Sequence, residues 1–177
     1  IIKEKSWKNK HENFEQDLKK DAFFKLRPPD SAGNLSEMYH ATTRNFQWLI
    51  KHGIENNLRL RALGSGWSFS KVGITEGGIV DTKSLHLSFT LNEAHISDFY
   101  KRNNGDPSNL LFAQCGNSMM QINEKLEERT ENKKCLHASG ASNGQTVAGA
   151  ISTGTHGGAF KTGAVHDFVV GLHIVTG

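Results

Sequence analysis

Cysteine and proline are scarce in this chain of 177 residues, with two of the first and three of the second. Cys115 and Cys135 form no Cys-x-x-Cys pair, which argues for free thiols in a reducing, cytoplasmic setting rather than a disulfide scaffold. Whether they pair is set by a spatial distance, not by their spacing. No apolar stretch is long enough to span a bilayer, so an integral membrane segment is not expected. Charge of one sign is also lacking: 21 Lys and Arg stand against 18 Asp and Glu, a net +3. The basic residues cluster only at Lys3 to Lys10 and at Lys19-Lys20. A solvated leading helix accounts for these better than a nucleic-acid-binding arm. The nine histidines have no grouping with metal-ligand spacing, so no metal site is expected. Ile1, not Met, opens the chain, as after processing or truncation.

Glycine, at 18 residues, is plentiful and concentrated. One segment is Gly64-Ser65-Gly66-Trp67-Ser68-Phe69-Ser70, following an alternating stretch from Leu58 to Leu63 that suits a strand with one buried face. A strand ending in Gly-Ser-Gly exposes backbone N–H groups with no side chain in the way, a turn able to cradle a phosphate. The other runs from Ser139 to Gly158 and ends Thr153-Gly154-Thr155-His156-Gly157-Gly158. Two such turns suggest a long phosphorylated ligand lying between them.

Along the chain, Phe14 and Leu18 repeat at four residues and predict a helix over Trp7 to Leu26, broken by Pro28 to Asn34. Met38 to Ala41 is a short strand candidate. A helix capped by Thr42 or Thr43 runs to about Lys51 and ends at Gly53, and the strand Leu58 to Leu63 follows. This is a βαβ unit with the glycine turn at its C-terminal end. Ile79 to Thr82 is a further strand, and Leu110 to Gln114 opens a second body. Asn117 or Ser118 caps a helix carrying Met119, Ile122 and Leu126. Phe168 to Val175 looks like a strand with no partner downstream, as in a chain that continues beyond Gly177. Division falls at 1–34 (helix and linker), 35–107 (first lobe) and 108–177 (second lobe, incomplete).

Several dinucleotide and hydrolase motifs fit poorly. Gly64-x-Gly66-x-x-Phe69 lacks the third glycine of the Rossmann fingerprint, and Phe160 stands where a Walker loop needs glycine before Lys161-Thr162. Ser68, His156 and Asp167 make a triad only on paper, without a nucleophile elbow. The string Arg61 to Ser70 instead resembles the pyrophosphate loop of flavoproteins related to vanillyl-alcohol oxidase and p-cresol methylhydroxylase. Thr146-Val147-Ala148-Gly149-Ala150-Ile151-Ser152-Thr153-Gly154-Thr155-His156-Gly157 resembles their second flavin-binding segment, and Asp167 to Gly177 the strand after it. The similarity covers about Leu35 to Gly177 and is closest to sugar-alcohol, aldonolactone and sterol oxidases.

The resemblance implies an α+β, two-lobed FAD-binding domain: a small βαβ lobe, then a mainly antiparallel sheet lobe with flanking helices. It implies that Gly64, Ser65, Gly66, Trp67, Ser68 and Phe69 hold the FAD pyrophosphate. Ser142, Thr146, Gly149, Thr153, Gly154, Thr155 and His156 would line the ribityl chain and flavin ring. For His156, donation of a ring N–H to a loop carbonyl is the main role expected. Many relatives attach the flavin covalently to a histidine at the position of Trp67, and some add a cysteinyl link near Ser142 to Thr146. Neither residue is present, so non-covalent FAD is expected, with Trp67 as an aromatic wall. The implied activity is oxidation at a CH–OH group of an alcohol, sugar or lactone. The small-molecule substrate would be bound by a domain beyond Gly177, so these residues alone should turn over little or nothing, and no catalytic base is nominated. A non-catalytic binding module that keeps the glycine turns but has lost flavin is the alternative.

Overall fold

The computed structural model describes residues 1–28, 33–103, 105–128 and 133–176. Three short strands open it: β1 (Ser6–Lys8), β2 (Glu15–Asp17) and β3 (Phe23–Lys25). They correct the leading helix expected over Trp7 to Leu26. A separation of four residues puts Phe14 and Leu18 on one side of a helix and of a strand alike, and the burial decides between them. Positions 14, 16 and 18 are half-buried while 15 and 17 are exposed, which is the strand period. β1 and β2 pair antiparallel with Trp7 opposite Gln16. Of the expected breaker at 28–34, residues 29–32 lie outside the described residues.

A single helix, α1 (Leu35–Glu55), comes next. Asn34 caps it, its side chain accepting from the Glu37 amide at 3.0 Å. The strand expected at Met38 to Ala41 is therefore the first part of this helix. Thr42 and Thr43, expected as caps, lie inside it, and their hydroxyls donate to the carbonyls of Met38 and Tyr39. Gly53 does not end the helix. It sits in the last turn because a Cβ there would come 2.7 Å from Leu60 Cδ1.

β4 (Arg61–Leu63) and β5 (Ile79–Asp81) complete an all-parallel sheet in the order β3-β5-β4, with Phe23 and Arg61 both paired to Ile79. The expected βαβ crossover exists, but its first strand is β3. Parallel strands need a crossover of this kind, and α1 supplies the one from β3 to β4, which flank β5. Its central strand β5 is buried throughout, as strands of parallel sheets are, while Arg61 and Ala62 of β4 are exposed. Phe24 and Val80 pack with Leu26, Leu49 and Leu85 under α1; Phe23 and Ile79 pack with Leu63 and Ile74 under Trp7, Phe14 and Leu18.

Beyond the sheet, β6 (Ser88–Thr90), the short helix α2 (Asp98–Arg102) and β7 (Leu111–Ala113) follow. β6 and β7 pair antiparallel, with Phe89 and Phe112 opposite each other and their ring centroids 4.8 Å apart. α3 (Met119–Glu127) begins where expected, in a capping box between Ser118 and Gln121. α4 (Val147–Ser152) was not foreseen; it carries the apolar residues of the glycine-rich run into a third cluster of Met119, Ala150 and Val165.

The expected strand Phe168 to Val175 is not formed. Val165–Phe168 is a 3-10 turn, and the residues after it have no strand partner among the described residues. Val170, Leu172 and Ile174 are each more than 70% exposed. Antiparallel pairing from residue 108 onward is limited, among the described residues, to β7 and two isolated bridges, Ser118 with Thr146 and His156 with Ala164.

Candidate functional site

All three strands of the parallel sheet point their C-terminal ends the same way, and the turn from Gly64 to Ser70 leaves β4 at that edge. Open parallel sheets place ligands outside this edge. The turn is gripped by the hairpin tip between β1 and β2. Lys10 N–H donates to the Gly66 carbonyl at 2.9 Å. Asn9 Nδ2 donates to the Ser68 carbonyl and Asn13 Nδ2 to that of Phe69, both at 3.1 Å. His11 Nε2 lies 3.2 Å from the Trp67 carbonyl, which can only accept, so Nε2 carries the proton.

The carbonyls of Gly66, Trp67, Ser68 and Phe69 are thus all taken by one element. No peptide bond here is cis, and in a trans peptide C=O and the next N–H point in opposite directions. Holding the carbonyls on the hairpin side therefore turns the following amides away from it. Among the described residues, the amides of Ser65 to Phe69 donate to no protein acceptor. The result is a row of unpaired donors with its geometry fixed, which suits an anion.

The second glycine-rich segment meets this turn at two points. A Cβ at Gly64 would fall 2.0 Å from Thr146 Oγ1, and a Cβ at Gly144 would fall 2.7 Å from Trp67 Cζ2. Both glycines are required by close approach. Thr146 is buried and stands just before α4, whose first amide, Val147 N–H, donates to the Asn117 carbonyl at 2.7 Å. The Ser142 hydroxyl accepts from Gly144 N–H at 3.2 Å, and Gly149 lies in α4, where a Cβ would be 3.1 Å from Thr146 Oγ1. Gln145, between these residues, has a buried side-chain oxygen without a protein partner.

Of the residues singled out in the sequence, Gly64 is therefore brought against Thr146, with Gly149 beside it, and Trp67 against Gly144, whose amide donates to Ser142. The Ser68 hydroxyl is turned to Ser70 Oγ, 3.1 Å away, and the exposed Phe69 ring stacks on His11 at 4.0 Å. Thr153 to His156 lie at the other end of α4, about 9 Å along its axis. There Thr153 Oγ1 donates to the Gly149 carbonyl, Gly154 has φ +66°, and the Thr155 carbonyl accepts from Val165 N–H. His156 Nδ1 is 2.9 Å from the Gly157 carbonyl, the loop-carbonyl contact expected of it. Sequence reasoning missed Asn9, His11 and Asn13. Their signal was the even-numbered alternation of Phe14, Gln16 and Leu18, which marks a strand and hence a turn just before it.

No group of three or more His, Cys, Asp or Glu side chains among the described residues could hold a metal ion. No helix among them is long and apolar enough to cross a membrane. The donor set, neutral amides flanked by glycines, fits a diphosphate.

Comparison with known proteins agrees. The family described as FAD binding domain matches residues 38–177. L-gulono-1,4-lactone dehydrogenase of Mycobacterium tuberculosis is 24% identical over 128 residues, 72% of this chain and 26% of its own. A long-chain alcohol oxidase from an uncultured marine euryarchaeote is 32% identical over 116 residues, 66% of this chain and 21% of its own. Among solved structures, cholesterol oxidase from Brevibacterium sterolicum superposes with a TM-score of 0.56 at 14% identity, over 88% of this chain and 24% of that one. That likeness shows the fold, a mixed arrangement of helices and sheets. The chain spans about a quarter of the length of the curated relatives it matches.

Proposed function

The chain belongs to the FAD-binding domains of the vanillyl-alcohol oxidase and p-cresol methylhydroxylase family, and from that premise we propose that it holds FAD, non-covalently, for the oxidation of a CH–OH group. FAD, when bound, would supply the redox chemistry as hydride acceptor. The residues of this chain bind and orient it. The amides of Ser65 to Phe69 take the diphosphate. Gly64 and Gly144 let the two segments close on each other beside the cofactor's path, and Trp67 walls it. Ser142, Thr146 and Gly149 line the middle of the cofactor, and Thr153, Gly154, Thr155 and His156 its far end.

The observation that carries this reading is the contact of the two glycine segments at Gly64–Thr146 and Trp67–Gly144, beside amides with no other acceptor. A hydrogen bond to a charged oxygen is worth roughly 1.5–3 kcal/mol, so a few preorganised amides suffice for firm retention. The substrate would be an alcohol, sugar or lactone, read by a domain outside residues 1–177, and these residues alone would show little turnover. The division proposed is a first lobe over 35–107, joined by the strands that precede it, and a second from 108. The free Cys115 and Cys135 support a cytoplasmic setting.

The test is the visible spectrum of the purified protein, followed by titration with FAD. Flavin absorbance, or saturable FAD binding to the stripped protein, is expected. A colourless protein that binds no FAD would leave the flavin-free binding module as the better account.

A further inference from the structure

The turn on which the proposed function rests is held from outside by residues that the family match omits. The hairpin tip, residues 9–13, precedes residue 38, where that match begins. Asn9 is 3% exposed, although the tip around it is open to solvent. Its amide group donates to Asn13 Oδ1 as well as to the Ser68 carbonyl, and its Oδ1 accepts from Asn13 N–H at 3.1 Å. The two asparagines are thus locked to each other, and each gives one donor to an adjacent carbonyl of the turn. Trp7, at the base of the hairpin, closes the other side. A Cβ at Gly66 would lie 2.9 Å from its Cζ2, and Gly66 has φ +70°, which only glycine adopts freely.

We propose that Asn9 and Asn13 are positioning residues that preset the turn's amides for the diphosphate of the bound cofactor. Asn9 orients the Ser68–Phe69 peptide and so the Phe69 amide. Asn13 locks Asn9 and the Phe69–Ser70 peptide, beside Lys10 and His11, whose contacts to the Gly66 and Trp67 carbonyls orient the amides of Trp67 and Ser68. A Gly-Ser-Gly turn left to itself samples many conformations, and ordering it would be charged against binding. The hairpin does that ordering during folding, before the ligand arrives. The inference rests on the Gly64–Phe69 turn being the diphosphate site. It adds that affinity for the phosphorylated part of FAD depends on side chains that do not touch it.

The test is to titrate the full chain, freed of flavin, with FAD and separately with riboflavin, which has the ring but no phosphate, following flavin fluorescence. Wild type, N13A, N9A/N13A and the control E15A are compared. Glu15 faces Ser6 and Lys8 across the hairpin and not the turn, so E15A should leave both Kd values unchanged. N9A/N13A is expected to raise the FAD Kd at least tenfold and the riboflavin Kd less than twofold. N13A, at an exposed position, is expected to raise the FAD Kd about threefold without endangering the fold. An FAD Kd unchanged within twofold in both variants, or equal weakening of FAD and riboflavin, would overturn the proposal. A wild type that binds FAD no tighter than riboflavin would overturn the diphosphate reading beneath it, and is recognisable before any variant is made.

Discussion

The indole of Trp67 occupies the space that a side chain at position 144 would need: a Cβ built there lies 2.7 Å from Cζ2 and 2.8 Å from Nε1. Two segments more than seventy residues apart in sequence are packed with no room for a methyl group. Gly144→Ala must push the indole out of place, and forcing an extra methyl into a packed site costs about 1–3 kcal/mol. The expected outcome is a lower melting temperature and a weaker FAD complex, the second because the displaced ring belongs to the turn that carries the amides. Thermal unfolding with and without FAD separates the two effects. A variant as stable and as tightly bound as wild type would show that Trp67 is free to move.

Gly64→Ala should be the more damaging change. The new Cβ would sit 2.0 Å from Thr146 Oγ1 and 2.9 Å from its Cγ2, and Thr146 is buried with little room to turn. A loss of about 2–3 kcal/mol is expected from overpacking at this contact. Adding Thr146→Ala removes both of those atoms, so the double variant should recover part of the loss. Residues in direct contact show this non-additivity, and distant ones do not. Denaturant unfolding of the two single variants and the double one measures it. Strict additivity would mean that the segments do not meet.

The glycine turns were legible because glycine is demanded by sterics at fixed points, here Gly64, Gly66 and Gly144, and the surrounding Ser and Thr advertise an anion. The capping box at Ser118 was legible for a similar local reason. The opening strands were not. Phe14 and Leu18 satisfy either period, and the choice was made by tertiary contacts with Leu63, Ile74 and Ile79, which no local pattern contains. α1 was cut short in the reading because Thr42 and Gly53 are a cap residue and a breaker by type. Inside the fold one donates back to Met38 and the other makes room for Leu60. The grip of Asn9 and Asn13 on carbonyls nearly sixty residues away is a long-range relation of the same sort.

Flavin attachment can be decided by acid precipitation. The family resemblance sets Trp67 at the position of the histidine through which many such flavoproteins hold their flavin, and indole offers no nucleophilic ring nitrogen. His11 faces the Trp67 carbonyl, His156 faces the Gly157 carbonyl, and Cys115 packs against the core beneath α1. Denaturing the yellow protein in acid should therefore leave the flavin in the supernatant. A yellow pellet that survives washing would contradict this and would send the search for the linked side chain to mass spectrometry.

The two thiols should differ in reactivity. Burial pushes the Cys115 thiol above the ordinary cysteine range, with a hydrogen bond to Thr82 opposing it only in part, whereas Cys135 is exposed. The thiolate is the reactive form, so a disulfide reagent near neutral pH should label Cys135 quickly and Cys115 only slowly until the protein unfolds. The same shift has a consequence for stability. A native pKa above the unfolded one means that the folded state binds this proton more tightly. The stability it contributes is fully present below the unfolded pKa, about 8.5, and is lost as pH rises through the higher native value. Wild type should therefore lose stability in mildly alkaline solution more steeply than Cys115→Ala, which has no proton to release there. Urea unfolding of both proteins from neutral pH upward gives the two slopes, and parallel slopes would mean that the thiol ionises as freely in the fold as out of it.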